Sequence, residues 1–180
     1  YYENLNSLSA KGLDIEASYR TSLDTFIPSA AGDLSLRAMA THYIENVTDN
    51  GVTAIDLAGS NVSATPDWVS RVTAAYDLDP ISLNFTARGV SDGVISNAYT
   101  ECTSACPTLA PPYYTINDNN IEGALYFDAS ATYAFDLGQS GASGEAYISI
   151  KNLFNNDPPL TANPAALGAE NTVGYLQTIR

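Results

Sequence analysis

The chain has 180 residues, of which 45% are hydrophobic and only 15% are charged, and its formal net charge is −13. The apolar content argues against a disordered chain, and the acidic balance argues against a nucleic-acid partner, because phosphates require a basic surface. No apolar run reaches the roughly 18 residues of a membrane-spanning helix, although a membrane-spanning β-strand needs only about ten alternating residues.

Six segments alternate between apolar and polar residues with the period of two that is typical of β-strands. In chain order they cover residues 13–20, 34–41, 71–78, 81–88, 125–135 and 146–151. In the second segment, for example, Leu34 and Leu36 fall on one face, whereas Arg37 falls on the other. Helical spacing fits none of the six, so we predict an all-β, antiparallel protein.

Three of the predicted strands end alike, on a tyrosine followed by a turn that contains Asp. The tyrosines are evenly spaced in the sequence, at positions 19, 76 and 133. A strand that descends to an aromatic residue is typical of the membrane interface of a transmembrane β-barrel. We therefore predict a lipid-facing aromatic girdle on the side of these turns. Its predicted members are Tyr19, Tyr76, Tyr133 and Phe135.

The links between the predicted strands alternate in length. Short links lie around Pro28, at Asp79-Pro80 and in a glycine-rich turn, whereas long links run from about 43 to 67, from 89 to 123 and from 152 onward. Several links of roughly 20 or more residues argue against a compact soluble domain. Outer-membrane barrels have short periplasmic turns and long extracellular loops. The link lengths therefore favour such a barrel.

The charged residues indicate which face would meet lipid. Five of the seven basic residues fall on the polar register. A charge against lipid near the bilayer midplane costs ~2–4 kcal/mol, so the polar face should line the lumen. The predicted lumen-facing charges are Asp14, Glu16, Arg20, Arg37, Arg71, Arg88, Asp128 and Lys151. A soluble antiparallel sandwich with its polar residues toward water remains an alternative, because alternation alone does not distinguish lipid from a protein core.

The two cysteines, Cys102 and Cys106, lie four positions apart in a segment rich in Thr, Pro and Tyr. At this spacing in a loop they can close a small disulfide ring, which requires an oxidising compartment or the cell surface. Two free thiols are the alternative. Without a histidine or further cysteines nearby, a metal site is not expected.

The sequence contains no catalytic constellation, and we predict neither an enzyme nor a cofactor. The only histidine, His42, is expected at the rim of the second predicted strand, without a nucleophile motif. The run Asn117–Asn120 lacks the spaced carboxylates of a calcium loop and is interpreted as a turn. The glycines of the short turn after residue 136 lack the Lys-Ser/Thr of a phosphate-binding loop.

Aromatic residues in the long links are the candidate ligand contacts. Tyr99, Tyr113 and Tyr114 could stack on a sugar ring or on a catecholate-like or haem-like solute, or could pack on one another. Trp68, at the outer end of the third predicted strand, is interpreted as an anchor at the outer membrane interface.

Three segments resemble the last third of the barrel of TonB-dependent outer-membrane receptors. Leu8-Ser-Ala-Lys-Gly-Leu-Asp-Ile-Glu-Ala-Ser-Tyr19 resembles a barrel strand of that family, and Asn152-Leu-Phe-Asn-Asn-Asp-Pro158 resembles the motif that ends its penultimate strand. Tyr99-Thr-Glu-Cys-Thr-Ser-Ala-Cys106 resembles the short disulfide loops of some members. The resemblance implies that residues 1–180 are a C-terminal segment with about six strands of a 22-stranded barrel, without the plug domain and the final strand.

The resemblance further implies a location and a function. The protein would lie in the outer membrane of a Gram-negative bacterium, in contact with lipid and lipopolysaccharide. It would bind a scarce nutrient, such as a siderophore, vitamin or oligosaccharide. Import would need its own N-terminal plug, its remaining strands and the TonB complex of the inner membrane. A passive porin or structural surface barrel is one alternative, and a secreted β-sandwich adhesin or carbohydrate-binding module is another.

Overall fold

The computed structural model describes residues 7–62, 65–138, 141–162 and 173–175. This part of the chain consists of β-strands, loops and one 3-10 turn at Leu23–Thr25. The strands are β1 (Ser7–Ser22), β2 (Asp33–Asp49), β3 (Ala54–Asp56), β4 (Trp68–Leu78), β5 (Ile81–Val90), β6 (Gly93–Val94), β7 (Tyr99–Glu101), β8 (Tyr114–Ile116), β9 (Asn120–Ile121), β10 (Ala124–Asp136), β11 (Ser143–Ile150), β12 (Leu160–Ala162) and β13 (Val173–Tyr175).

The six long strands form one antiparallel sheet in the order β1-β2-β4-β5-β10-β11, and β3 pairs with the C-terminal end of β2. The chain is thus all-β, as the alternation predicts. Within the described ranges, β1 and β11 are each paired on one side only, so the sheet is open and does not close into a barrel. In this part of the chain, no helix is long and apolar enough to cross a bilayer.

The pairing register separates the sheet into an apolar and a polar face. Leu36 pairs with Ala74, which pairs with Phe85, and this row continues through Ala129 to Ile150. Directly paired residues of an antiparallel sheet point to the same side. The neighbouring row, on the opposite face, runs across the sheet through Arg37, Thr73, Thr86 and Asp128. We call these two sides the apolar face and the polar face.

The apolar face of the sheet is largely uncovered. Its exposed large side chains include Tyr19 at 53% and Ile148 at 60% exposure. Among the described residues, the buried apolar side chains are instead Ile95, Ala98, Ile121 and Tyr126. The first three of these lie in the long links between the strands. Within the part of the chain that the structure describes, the buried apolar side chains therefore lie mainly in the long links, and no second layer covers the sheet.

The strands extend further than the alternation predicts, and the long links contain structure of their own. A β-bulge at Lys11/Gly12 shifts the register between the N-terminal part of β1 and the C-terminal part of β2. In the links, β6 pairs with β9, while β7 and β8 form a parallel pair. The alternation predicts none of these short strands. The sixth strand ends one residue earlier than the alternation predicts, because β11 ends at Ile150 and Lys151 lies in the following turn.

The short turns share one end of the sheet, and the long links share the other. In the turn between β1 and β2, Gly32 has φ +94°, and a Cβ there would lie 2.7 Å from the carbonyl oxygen of Asp77. Only glycine fits both the backbone conformation and the space. The turn therefore packs directly against the end of β4.

Candidate functional site

Ion pairs cross the polar face of the sheet from strand to strand. Arg37 lies diagonally across from Glu16, with Nη2 2.7 Å from Oε1, and Arg20 Nη2 lies 3.4 Å from Asp33 Oδ2. Both pairs are more than half exposed at the arginine. Exposed pairs contribute roughly 0.2–1 kcal/mol each. They keep charge along this face, but they contribute little to stability.

The Arg88–Asp128 pair is the most buried one, with both side chains 24% exposed. Arg88 donates through Nε and Nη2 to the two carboxylate oxygens, at 2.8 and 3.1 Å. The backbone N–H of Asn152 donates to Asp128 Oδ1 at 2.9 Å. Arg88 also lies 5.7 Å from the centre of the Tyr126 ring. Such a two-pronged, charge-assisted arrangement fixes the orientation of the guanidinium.

The other charges predicted for this face have different surroundings. Arg71 is directly paired with Arg88 across β4 and β5. Among the described residues, Arg71 forms no ion pair. Asp14 accepts a hydrogen bond from the hydroxyl of Thr41 at 2.6 Å. A cavity of about 340 Å³ beside Arg71 is lined in part by Arg88 and Tyr126. Within the described residues, Arg71 is therefore the arginine of this face that has no carboxylate partner, and it borders this cavity.

The long links pack together into what we call the loop cluster, residues 54–62, 65–67 and 91–121. Ser60 is almost fully buried and donates to the carbonyl oxygen of Ile95 at 2.9 Å. Asn119 is also buried and donates through Nδ2 to the carbonyl oxygen of Ser96. Asn97 donates to the carbonyl oxygens of Asp56 and Ala58. These bonds join segments that are distant in sequence, so the loops form a preorganised surface.

A glycine permits the closest approach inside the loop cluster. A Cβ at Gly93 would lie 2.4 Å from Asn61 Oδ1 and 2.5 Å from the carbonyl oxygen of Gly59. The N–H of Val94 donates to that same carbonyl of Gly59 at 2.8 Å. A side chain at position 93 would therefore separate the two loop segments.

The predicted disulfide is confirmed, since Cys102 and Cys106 are bonded with Cα atoms 5.6 Å apart. We call residues 102–113, between β7 and β8, the disulfide arm. At its base, the rings of Tyr99 and Tyr114 meet edge to face at 5.7 Å. Tyr113 is 46% exposed. Two of the three candidate ligand tyrosines therefore contact each other, while the third faces solvent.

The Asn-Leu-Phe segment forms a tight turn against β10. Asn152, at φ +53°, accepts from the N–H of Asn156 and donates to its carbonyl oxygen. Asn156 also donates through Nδ2 to the carbonyl oxygen of Leu125 at 2.8 Å. The Phe154 ring meets Phe127 edge to face at 5.1 Å. Asparagine tolerates this backbone conformation better than most residues, which explains its place in the motif.

The predicted aromatic girdle lies on the apolar face, near the short turns. Tyr19 pairs with Leu36, Tyr76 pairs with Leu34 and Leu83, and Tyr133 pairs with Ile81. The Tyr76 hydroxyl donates to the carbonyl oxygen of Ala31 at 2.8 Å. Tyr133 and Phe135 stack with their centres 6.2 Å apart.

At the opposite end of the apolar face, Trp68 and His42 are directly paired and stack at 4.4 Å with an interplanar angle of 10°. His42 Nδ1 lies 2.9 Å from the carbonyl oxygen of Asp67. This arrangement places the only histidine of the chain at the rim of the sheet, in contact with an aromatic ring.

Sequence reasoning missed a second cavity, of about 610 Å³, at the N-terminal end of β10. Its polar lining consists of Asp118, Asn120, Glu122, Tyr126, Asn156 and Asp157. The available signal was Tyr126, a large aromatic residue in the polar register of its strand. The carboxylates gave no signal, because they are far apart in the sequence. Among the described residues, no group of three or more His, Cys, Asp or Glu side chains is arranged to hold a metal ion.

A scan of protein-family models found no match to the chain, and searches of curated proteins and of solved structures found no significant match. The fold and site therefore define a class by architecture alone. The described residues form an all-β protein with one open antiparallel sheet, apolar on one face and charged on the other.

Proposed function

We propose that the sheet is part of a transmembrane β-barrel, and that the protein is an outer-membrane receptor that captures a nutrient and imports it by TonB-dependent transport. The observation that carries the proposal is the stagger of three tyrosines on the exposed apolar face. Through Leu36, Tyr19 of β1 is aligned with Ala74 of β4, so Tyr76 lies two residues closer to the short turns than Tyr19 does. Through Leu83, Tyr76 is aligned with Ala131 of β10, so Tyr133 lies a further two residues closer to the short turns.

This stagger corresponds to a strand tilt. β1 and β4 are two strands apart, as are β4 and β10. Two residues along a strand span about 6.8 Å and two strand spacings about 9.6 Å, which gives a slope of about 35°. Strands of outer-membrane barrels tilt by roughly 35–45° from the membrane normal. A line through the three tyrosines would then lie parallel to the membrane plane.

The height of the apolar face supports the same interpretation. On β4, Trp68 and Tyr76 lie at its two ends, about 27 Å apart along the strand. Tilted by about 35°, this strand would span about 22 Å of membrane thickness, against about 25 Å for the apolar band of such barrels. The polar face would then line a lumen. The free edges of β1 and β11 would pair with further strands, because unpaired backbone groups are costly in lipid.

The transport role rests on the loop cluster and on the resemblance of the Asn152–Pro158 segment to the receptor motif. Buried Ser60 and Asn119 hold long loops in a fixed arrangement, which suits the capture of a solute at low concentration. A passive porin or structural barrel would share the strands and the lumen charges. A plug domain with a TonB-contact segment, in the same protein, would distinguish the receptor from these alternatives.

A secreted β-sandwich is less well supported, because a sandwich needs a second layer over its apolar face. Within the described ranges, nothing covers Leu36, Phe85 and Ile148, which are all exposed by more than a third.

The test is to express the complete protein in a Gram-negative host and to fractionate its membranes. We expect it in the outer membrane, with a gel mobility that changes on heating, and we expect solute uptake to stop when the TonB complex is deleted. A water-soluble monomer in the periplasm or medium would contradict the barrel. Uptake that is independent of the TonB complex would support the passive porin instead.

A further inference from the structure

Asn50 and Gly51 lie at the tip of the hairpin that joins β2 to β3. They are the only Asn-Gly pair in the sequence. Both residues are exposed, and Val52 beside them is 88% exposed. Asparagine is a thermolabile residue, and a following glycine has no side chain to hinder attack by its backbone nitrogen on the asparagine amide. The hairpin tip therefore exposes a chemically reactive pair to water.

The backbone nitrogen of Gly51 is the group that would attack. Its N–H donates to Asp49 Oδ1 at 2.7 Å. A general base must lie within hydrogen-bond reach of the proton that it removes, at roughly 2.6–3.2 Å between heavy atoms, and Asp49 meets this condition. An amide nitrogen attacks as it loses its proton, and in an unstructured chain hydroxide removes that proton. In the folded hairpin, the carboxylate of Asp49 is placed to do so.

The side-chain amide of Asn50 is the group that would be attacked. Its Oδ1 accepts the N–H of Val52 at 3.0 Å and the N–H of Thr53 at 2.8 Å. Two donors on one carbonyl oxygen stabilise the negative charge that develops on this oxygen during the attack, as the donors of an oxyanion hole do. The same two bonds hold the side chain folded toward the residues that follow it. The turn therefore activates both reacting groups.

We propose that Asn50-Gly51 is a self-deamidation site in which Asp49 is the general base and the N–H groups of Val52 and Thr53 form an oxyanion hole. The Gly51 nitrogen gives its proton to Asp49 and forms a bond to Asn50 Cγ. The Cγ–Nδ2 bond then breaks, and Nδ2 takes the proton from Asp49 and leaves as ammonia. Water opens the resulting succinimide at either carbonyl group, which gives aspartate or isoaspartate at position 50.

The products change the hairpin. Each adds one negative charge at position 50, next to Asp49. Isoaspartate also inserts a further carbon into the backbone, so it should disturb the pairing of Asp49 with Ala54. Because β3 is the first segment of the loop cluster, the reaction would alter this end of the protein as the protein ages. It needs only this loop and water, so it does not depend on the proposed transport role.

The experiment follows the deamidated fraction at Asn50 by peptide mass spectrometry while the complete protein is incubated at several pH values near neutrality. The same protein unfolded in guanidinium chloride is the reference, because it keeps the Asn-Gly pair and loses the three hydrogen bonds. Asp49→Asn is the test variant, since it retains an acceptor for the Gly51 N–H but removes the base. Asp24→Asn is the matched control, because it removes a carboxylate from the exposed 3-10 turn. Circular dichroism shows whether each variant is folded.

We expect the folded wild type to deamidate several-fold faster than the unfolded chain. Asp49→Asn should react about tenfold or more slowly than the wild type, in line with the contribution of a general base, and Asp24→Asn should react at the wild-type rate. The rate of Asp49→Asn should rise in proportion to hydroxide, and the wild-type rate should rise less steeply with pH.

A folded wild type that reacts no faster than the unfolded chain would overturn the proposal, because the hydrogen bonds would then restrain Asn50 and not activate it. An unchanged rate in folded Asp49→Asn would do the same. If Asp49→Asn does not fold, the wild-type protein alone decides, since a rate in full proportion to hydroxide would exclude the carboxylate as the base.

Discussion

Arg88 and Asp128 are joined by two hydrogen bonds of 2.8 and 3.1 Å between adjacent strands, and the same carboxylate accepts the backbone N–H of Asn152. One side chain therefore connects the polar face of β5 and β10 to the turn that follows β11. We expect Asp128→Asn to lower the free energy of unfolding by about 1–3 kcal/mol, because it weakens both bonds and leaves a half-buried guanidinium with a poorer partner. The measurement is the denaturant midpoint in detergent micelles.

Asp24→Asn is the control for this variant, since Asp24 lies in the exposed 3-10 turn at the other end of the sheet. It should change the free energy of unfolding by less than about 0.5 kcal/mol. Equal effects of the two substitutions would mean that the Arg88–Asp128 pair does not stabilise the sheet.

Adjacent positions on β10 test which face meets lipid. Ala129 lies on the apolar face beside Phe85, and Ser130 lies on the polar face beside Asn84. We expect Ala129→Arg to cost ~2–4 kcal/mol against lipid and to reduce assembly, whereas Ser130→Arg should be tolerated in a lumen. The measurement is the fraction of protein with heat-modifiable mobility in isolated outer membranes. Normal assembly of Ala129→Arg together with failure of Ser130→Arg would reverse the assignment of the two faces.

The sheet was largely predictable from the sequence, while the loops were not. Alternation places Leu36 and Arg37 on opposite faces whatever the neighbouring strand is, because side chains in a strand have a period of two. The loop cluster depends on contacts between distant polar residues, such as Ser60 with Ile95. No local pattern encodes such a contact.

The cavity at the N-terminal end of β10 could not be predicted for the same reason. Asp118 and Asp157 belong to different loops, and only the fold brings them to one cavity. The disulfide could be predicted because Cys102 and Cys106 are close in the sequence itself.

The disulfide of the disulfide arm should be present in protein purified from the cell envelope. We expect Cys102 and Cys106 to react with an alkylating reagent only after reduction, because the two sulfurs are bonded to each other. Peptide mass spectrometry with and without a reductant measures this. Alkylation of both residues in unreduced, native protein would contradict the bond.

Glu45 should make stability depend on pH. A hydrogen bond from Lys11 and one from Ser9 lower the pKa of this carboxyl below its ordinary value of 4.5. Glu45 lies on β2 beyond the His42–Trp68 pair, on the side of the long loops. Because its pKa is lower in the folded state, its contribution to stability is fully present above pH 4.5. This contribution is lost as the pH falls through the lowered value.

The Glu45→Gln variant should therefore unfold at a lower temperature than the wild type at pH 7, and the difference should shrink as the solution is acidified. Lys11→Met removes the cation that pairs with Glu45. The variant with both substitutions should therefore show a smaller drop in unfolding temperature at pH 7 than the sum of the drops in the two single variants. Thermal unfolding in detergent at several pH values measures these differences. If the difference in unfolding temperature between the wild type and Glu45→Gln stays the same down to acidic pH, the charge of Glu45 does not stabilise this end of the sheet.

The last prediction concerns the disulfide arm and solute capture. Deletion of residues 100–114 should lower solute binding and leave assembly largely intact, because surface loops tolerate deletion better than strands do. The structure suggests a sharper version, since Glu101 accepts the N–H of Asn119 and thereby supports the loop cluster. Replacing residues 102–113 by a Gly/Ser segment of the same length removes both cysteines and Tyr113, and it keeps a link long enough to join the parallel strands β7 and β8 and to preserve the Tyr99–Tyr114 contact.

We expect the Gly/Ser variant to assemble like the wild type and to bind or import the solute more weakly, and the deletion to weaken the loop cluster as well. Heat-modifiable mobility and uptake by whole cells are measured side by side for the two variants. Tyr113→Ala then separates the ring from the rest of the arm. If both variants assemble and import normally, the arm has no part in capture. If the Gly/Ser variant fails to assemble, the arm is a structural element and not a surface loop.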